Sequence, residues 1–219
     1  MTYTPAPPQE AVSIYPESDG QPMVENSKQY RWVVRLCENL KRLYQGQNVC
    51  VQADMFWYPV EGQPKIVNAP DVFVAIGRPA GDRSSYLQWQ EDNIPPQVVF
   101  EIVSPGNTVQ ELQKKQEFYV QYGVLEILSY NPETYDFSGF IRESSEQLPS
   151  VLMRLNLPWT SPVMGIRFEM TATGLEVYYP NGDRFLDFQE LFQAREAVEQ
   201  ERDRLAAKLR ELGIDPGAI

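Results

Sequence analysis

The sequence predicts an α/β (α+β) fold in which a mixed β-sheet is flanked by helices, with an antiparallel extension and a charged C-terminal helix. Three observations support this prediction. The apolar run at residues 98–103 is typical of a buried strand. A segment with helical periodicity follows it and ends at Gly123, a residue type that commonly terminates helices. Short alternating segments separated by turn residues then occupy residues 125–187, as in antiparallel sheets.

The 219 residues, of which 42% are hydrophobic, are enough for one sizeable core and a tail. Residues 1–13 are rich in proline and lack periodicity, so we expect a flexible arm. We expect residues 14–188 to form one domain and residues 189–219 to form an amphipathic, charged helix with a short tail after Gly213. The apolar residues of that helix recur every seven positions, at Leu191, Val198, Leu205 and Leu212. This spacing fits a helix lying on its own domain as well as a dimerising helix.

The sequence of the N-terminal half predicts one helix and then two strands before the central strand. Ser27 is expected to cap the helix, because apolar residues with helical spacing begin shortly after it. Residues 48–59 alternate in the manner of a strand. Residues 71–77 predict a second strand, which Asp71 opens. Residues 78–96 predict a long loop, a kind of segment that is often functional or mobile.

The central strand contains Glu101, and burying an ionised carboxylate costs several kcal/mol unless it is paired, hydrogen-bonded or bound to a metal. A partner is available on the following helix, where Lys115 and Tyr119 share one face because they are four residues apart. Asn107 or Thr108 is expected to cap this helix. A tight turn between the strand and the helix would bring the Lys115 ammonium back over the end of the strand that holds Glu101.

The composition excludes several classes of function. The chain has no histidine, which rules out hydrolases with an imidazole base and metal sites that need histidine ligands. Its net charge of −11 argues against a broad electrostatic grip on nucleic acid, so such a role needs a local basic surface or a bound metal. No apolar run is long enough to span a bilayer, and we expect no membrane association. The N-terminus does not resemble an export signal, so we expect a cytoplasmic protein with Cys37 and Cys50 reduced.

Asp71, Glu101 and Lys115 form the candidate catalytic set. Phosphodiester hydrolysis needs one group that holds a divalent cation and another that activates water or offsets developing negative charge. Two carboxylates and a lysine meet that need without histidine, and Mg²⁺ prefers oxygen ligands while keeping several waters. Ordinary structural explanations remain open for the same residues. Asp71 could simply open a strand, and Lys115 could pair with Glu111 four residues earlier.

Three motifs resemble the Uma2 (DUF820) family, which is placed with restriction endonucleases in the PD-(D/E)XK nuclease superfamily. The motifs are PDVF at residues 70–73, VVFEIVSPGNT at residues 98–108, and Lys115-x-x-x-Tyr119-x-x-x-Gly123-Val124-x-Glu126. The resemblance extends over roughly residues 15–179 and implies a restriction-endonuclease-like core.

Carried over residue by residue, the resemblance implies that Asp71 and Glu101 are metal ligands, with the backbone carbonyl of Ile102 as a third. The superfamily lysine normally stands two residues after the glutamate, where this chain has Val103. Lys115 would then reach the site from the helix, as in a migrated-lysine site. The resemblance implies a Mg²⁺- or Mn²⁺-dependent endonuclease that hydrolyses DNA. The alternative is a catalytically inactive interaction or scaffold protein of the same fold.

Two further expectations concern the completeness of the site and the assembly. A glutamate from the first helix often completes such sites, and Glu25 and Glu38 are the candidates. Nucleases that cut both strands commonly need two active sites, and closed twofold dimers are the commonest assemblies. We therefore expect a homodimer whose main contact lies in the core, with little contribution from the C-terminal helix.

Overall fold

Runs of consecutive strands separate the helices in the described part of the chain. The computed structural model describes residues 15–16, 26–213 and 215. In chain order the elements are α1 (Ser27–Leu43), β1 (Val49–Ala53), β2 (Trp57–Tyr58), β3 (Val72–Ile76), β4 (Tyr86–Leu87), β5 (Val98–Ile102), α2 (Val109–Gln121), β6 (Glu126–Asn131), β7 (Asp136–Ile141), β8 (Ser150–Met153), β9 (Trp159–Thr160), β10 (Arg167–Thr171), β11 (Gly174–Tyr178) and α3 (Phe188–Glu211). Short 3₁₀ helices occupy Gln88–Gln90 and Arg154–Asn156.

A six-stranded mixed sheet forms the centre of the fold, in the order β1-β3-β5-β6-β7-β8. β5 and β6 run parallel and are joined through α2, whereas the other neighbouring pairs are antiparallel. The register pairs Val72 with Phe100, so Asp71, one residue before β3, lies opposite Glu101. The predicted side-by-side arrangement of the Asp71 and Glu101 strands is therefore confirmed.

Helices cover both faces of this sheet. α1 packs on one face through a buried apolar stripe formed by Val33, Leu36, Cys37 and Leu40. α2 packs on the opposite face, where Tyr119 is completely buried among residues of β3 and β5. Because strand side chains alternate between faces, Asp71 shares the α2 face with Phe73, and Glu101 shares it with Val99. Both candidate carboxylates therefore lie on the same side of the sheet as α2.

The antiparallel extension that the sequence predicts forms parts of two sheets, because β9, β10 and β11 make a sheet of their own. β7 and β8 continue the central sheet, but β10 and β11 pair with each other beside α1. Phe168 and Leu175 of this second sheet bury their side chains in the apolar cluster that contains the α1 stripe. Glu126 joins the two parts, because its buried carboxylate accepts hydrogen bonds from Ser161 Oγ at 2.5 Å and from Val163 N–H at 2.9 Å.

Two predictions in the N-terminal half need correction. The strand predicted over residues 48–59 is interrupted at Asp54, whose φ of 47° is left-handed. The Asp54 N–H turns to the backbone carbonyl of Asp71 at 3.2 Å, so β1 ends and the chain bends toward β2. The loop predicted over residues 78–96 contains β4, which pairs in parallel with β2.

The starts of α1 and α3 each differ from the sequence expectation by one residue. The N-cap of α1 is Asn26 rather than Ser27, since Asn26 Oδ1 accepts from two N–H groups of the first turn. α3 begins at Phe188, with a capping box in which Asp187 and Glu190 accept each other's N–H groups.

Helical spacing predicts that Val109 of α2 faces the sheet. The Val109 side chain is instead 83% exposed, because it lies in the first turn, beyond the sheet contact.

α3 packs little against the described part of the chain. None of its described residues is buried, and the four residues spaced by seven, Leu191, Val198, Leu205 and Leu212, are 50% to 69% exposed. The predicted arm at residues 1–13 lies outside the described residues, and the division into a domain at residues 14–188 and a tail stays a prediction. Among the described residues, the helices are too short or too polar to cross a membrane.

Candidate active site

Asp71 and Glu101 lie side by side at one end of the central sheet. Asp71 directly precedes β3, and Glu101 is the fourth residue of β5, the antiparallel neighbour of β3. The Asp71 side chain reaches across to β5, where its Oδ2 accepts a hydrogen bond from the Ile102 N–H at 2.6 Å. Both residues are nearly inaccessible, with exposures of 9% and 5%. Two buried carboxylates thus meet where the carboxyl end of β5 lies beside the amino end of β3.

α2 delivers two hydrogen-bond donors to Glu101. A capping box between Thr108 and Glu111 begins the helix and determines the direction of its side chains. Lys115 Nζ donates to Glu101 Oε2 at 2.7 Å, and the Tyr119 hydroxyl donates to Glu101 Oε1 at 2.5 Å. The four-residue spacing therefore places an ammonium and a phenol on the two oxygens of one carboxylate.

Asp71, Glu101 and Lys115 come together in one cluster, and their catalytic roles remain a prediction. Burial, with a further contribution from Glu101, raises the pKa of Asp71 to about 7. Burial lowers the pKa of Lys115, but Glu101 and Asp71 raise it by more, so the pKa lies above its ordinary value. Burial and the charge of Glu101 raise the pKa of Tyr119 well above its usual range. At neutral pH, Lys115 is therefore an ammonium and Tyr119 a neutral phenol, while Asp71 is close to the midpoint of its titration.

The first helix contributes an amide to this region rather than a carboxylate. Gln29 is buried, and its Nε2 donates to the backbone carbonyl of Ile102 at 3.1 Å. Of the two candidate glutamates, Glu38 is exposed and pairs within α1, and Glu25 lies outside the described residues. Helical periodicity in the sequence predicts that Gln29 is buried, because it occupies the first position of the buried apolar stripe of α1. A polar side chain in such a stripe needs a hydrogen-bond partner.

Three other residues border the cluster. Asp54 adds a third acidic residue nearby, through its backbone contact with Asp71. Val103 continues the strand ladder by donating its N–H to the Tyr130 carbonyl at 2.8 Å. Ser104 has the contacts of a turn residue, since its N–H and hydroxyl both bond to the Asn107 side chain. Among the described residues, the cation that contacts Glu101 is therefore Lys115 of α2.

The oxygen atoms of the cluster fit a divalent cation of the Mg²⁺ type. Mg²⁺ binds carboxylate and carbonyl oxygens and retains several waters, so two carboxylates and one carbonyl are a sufficient protein contribution. The Ile102 carbonyl has a second lone pair besides the one that accepts from Gln29. The raised pKa of Asp71 is expected for two buried carboxylates that face one lysine, and a bound cation would lower it. Within the described residues, no group of three or more acidic or cysteine side chains forms a metal site, so waters would complete the coordination.

Comparisons with known proteins address the family. The sequence profile of Uma2, described as "Putative restriction endonuclease", matches residues 14–173. No match was found among curated proteins. Among solved structures, the chain is similar to the crystal structure of a putative nuclease belonging to DUF820 from Anabaena variabilis ATCC 29413. That similarity has 12% sequence identity and a TM-score of 0.46, and it covers 64% of this chain and 75% of the other. Because the profile match covers well over half of the sequence, the chain belongs to the Uma2 family.

Proposed function

We propose that the chain is a Mg²⁺- or Mn²⁺-dependent endonuclease that hydrolyses phosphodiester bonds in DNA. The observation that supports this best is the convergence of Asp71, Glu101 and Lys115, with a 2.7 Å ion pair between the lysine and the glutamate. Membership of a family described as restriction endonucleases supports the choice of DNA as substrate.

Each residue has a distinct role in this proposal. Asp71, Glu101 and the Ile102 carbonyl hold the cation. A divalent cation in this place supplies Lewis acidity and lowers the pKa of water. Lys115 orients or deprotonates the attacking water and offsets charge on the phosphate. Tyr119 holds the Glu101 carboxylate in position through its 2.5 Å hydrogen bond.

A cleavage assay tests the proposal directly. We expect the full chain to cleave DNA when Mg²⁺ or Mn²⁺ is added and not in EDTA. Asp71→Ala and Glu101→Gln should each lower the rate by at least about 100-fold. Glu38→Gln is the matched control, because this exposed carboxylate pairs within α1, and it should leave the rate unchanged. Metal-dependent cleavage that persists in either site variant would contradict the assignment.

Metal binding separates an enzyme from an inactive scaffold of the same fold. A cation that binds the folded chain and not the unfolded one raises the free energy of unfolding by RT ln(1 + [M]/Kd). We therefore expect Mn²⁺ to raise the melting temperature of the natural chain but not of Glu101→Gln. Equal responses of the two proteins would favour the scaffold alternative.

We also propose a closed twofold homodimer whose main contact lies in the core. β8 forms an edge of the central sheet, and its Val151 and Met153 are 60% and 55% exposed. Edge strands with exposed apolar side chains are ready to pair with another chain. Light scattering on a chain ending at Gln189 should still report a dimer. A truncated monomer would assign the contact to α3, and a full-length monomer would refute the dimer.

A cytoplasmic location is part of the same proposal. Cys37 and Cys50 are both buried and free rather than joined in a disulfide, as expected for a protein of a reducing compartment.

A further inference from the structure

A pocket of about 220 Å³ lies between α1, the turn that joins β6 to β7, and β11. α1 lines it with Lys28, Arg31 and Trp32, and the opposite wall includes Tyr130 and Tyr135. None of these residues belongs to the proposed hydrolytic cluster. The pocket therefore combines cationic and aromatic side chains in a place to which no role has been assigned.

Two cations at the mouth of the pocket are available to a ligand. Arg31 is exposed and forms no salt bridge with another described residue. Lys28 pairs with Glu133, but the two side chains are 48% and 41% exposed, and exposed pairs contribute only about 0–1 kcal/mol. A phosphate can therefore replace Glu133 as the partner of Lys28 at little cost. These cations form a local basic surface on a chain whose net charge is −11.

The acidic residues that line the same pocket are already engaged within the protein. Glu176 pairs with Arg35 at 2.9 Å and with Arg184 at 3.2 Å. Asp187 caps α3, where it accepts the Glu190 N–H at 2.8 Å. Their charges are largely compensated, so an incoming anion meets the two cations at the mouth rather than unpaired carboxylates.

The half-buried rings of Trp32 and Tyr135 give the pocket a surface for a planar group, whereas Tyr130 is only 3% exposed and backs the wall. The rings of Trp32 and Tyr130 are in edge-to-face contact, with centroids 4.6 Å apart. Tyr135 adopts a left-handed backbone conformation with φ of 59°, which is uncommon for an aromatic residue. Proteins that bind single-stranded nucleic acid combine cations along the backbone with aromatic side chains on which bases stack.

The pocket and the candidate active site lie at the same end of the central sheet, the pocket on the α1 face and the hydrolytic cluster on the α2 face. Lys28 directly precedes Gln29, whose amide bonds to the Ile102 carbonyl next to Glu101. Tyr130, on the pocket wall, pairs with Ile102 in the parallel ladder of β5 and β6. A DNA strand at the hydrolytic cluster would therefore have to pass around the carboxyl ends of β5 and β6 to reach the pocket mouth.

We propose that this pocket binds one nucleotide of the DNA strand where the strand has passed from the hydrolytic cluster around the end of the sheet, with its phosphate on Lys28 and Arg31 and its base against Trp32 and Tyr135. This inference rests on the proposed function. Lys28 and Arg31 would be the contact by which a protein of net charge −11 holds DNA. A base enters such a pocket only when it is unpaired. The pocket therefore favours single-stranded or locally opened DNA over an intact duplex.

Fluorescence anisotropy with labelled single-stranded and duplex DNA tests this, using the full chain in EDTA so that no hydrolysis occurs. Arg31→Ala and Lys28→Ala should each weaken binding several-fold and lower the slope of log Kd against log salt by about one. Arg210→Ala is the matched control, because it removes the same charge from an exposed position near the end of α3, and it should change neither quantity. A strand with abasic positions should bind the natural chain more weakly than its parent strand.

Several results would overturn the proposal. The first is failure of the natural chain to bind DNA, and the second is equal DNA binding by Arg31→Ala and Arg210→Ala. The third is an Arg31→Ala protein that binds inorganic phosphate more weakly than the natural chain but binds DNA equally well. The outcomes also separate the two proposals. Arg31-dependent binding without any cleavage refutes the nuclease and retains the pocket, whereas cleavage with Arg31-independent binding refutes only the pocket.

Discussion

The two site carboxylates differ in the groups that stabilise their charge. Glu101 accepts hydrogen bonds from the Lys115 ammonium and the Tyr119 hydroxyl. Asp71 accepts the N–H of Ile102, a neutral donor. The pKa of Asp71 is raised to about 7, first by burial and then by the neighbouring Glu101.

The raised pKa of Asp71 predicts a pH-dependent stability in the absence of metal. The folded-state value of about 7 lies above the ordinary value of 3.8, so the folded chain holds a proton that the unfolded chain releases. The resulting stability is fully present below the ordinary pKa and is lost as pH rises through about 7. In EDTA, the free energy of unfolding from urea titrations should therefore fall between pH 5 and pH 8 by roughly 1–4 kcal/mol.

Asp71→Asn separates this effect from other titrations. The amide oxygen can still accept the Ile102 N–H but does not titrate, so the decline with pH should become shallower and the variant should be the more stable protein at pH 8. Asp203→Asn is the control, because the Asp203 side chain is 70% exposed on α3. An Asp71→Asn protein with the same decline as the natural chain would show that Asp71 is not the titrating group.

At the scale of elements, α2 determines the geometry of the site because it carries both donors to Glu101. The helix is held at its first turn by the Thr108 and Glu111 capping box. After its last turn, Gly123 adopts a φ of 100° and leads the chain into β6. These two ends hold the helix against the sheet, and the positions of Lys115 and Tyr119 depend on both.

Gly123→Ala should destabilise the chain more than the same change at another left-handed glycine. A Cβ at Gly123 would lie 3.1 Å from Pro95 Cγ, in addition to the strain of its φ of 100°. Gly46 has a φ of 77° but nothing within 4 Å of its added Cβ, so Gly46→Ala measures the backbone cost alone, about 1–2 kcal/mol. Urea unfolding of the two variants should therefore rank Gly123→Ala as the less stable. Equal losses would show that the Pro95 contact relaxes without cost.

At the scale of the whole molecule, one buried carboxylate joins the central sheet to the connection between β9 and β10 of the second sheet. Glu126 of β6 is fully buried and accepts from Ser161 Oγ and Val163 N–H. Burial raises its pKa, although both hydrogen bonds oppose that shift. The Glu126 of the family motif therefore has a structural explanation in this chain, independent of the hydrolytic cluster.

Two substitutions at Glu126 test this junction. Glu126→Ala leaves two buried donors without an acceptor and should lower the free energy of unfolding by roughly 3 kcal/mol. Glu126→Gln should cost much less, because its oxygen accepts from Val163 and its amide donates to the Ser161 hydroxyl. Glu146→Ala, at an exposed position, is the control and should be neutral. A small loss in Glu126→Ala, measured by urea unfolding, would contradict a joining role.

The sequence by itself determined the features that depend on neighbours a few residues apart. The buried strand with Glu101, the capped helix after it and the common face of Lys115 and Tyr119 all follow from short-range periodicity, and all are present in the structure. The same reasoning identified Asp71 at the start of its strand. Local patterns suffice here because helix and strand geometry repeat within a few residues.

Only the tertiary structure decided how distant segments meet. The interruption of the first strand at Asp54 depends on a contact with the chain near Asp71. The hydrogen bond from Gln29, rather than from Glu38, to the Ile102 carbonyl of β5 depends on how the helix sits on the sheet. The separate second sheet and the pocket likewise bring together segments more than 100 residues apart in the chain. No periodicity in the sequence specifies such pairs. They depend on which apolar faces of distant segments pack together most closely in the core and bury the most surface.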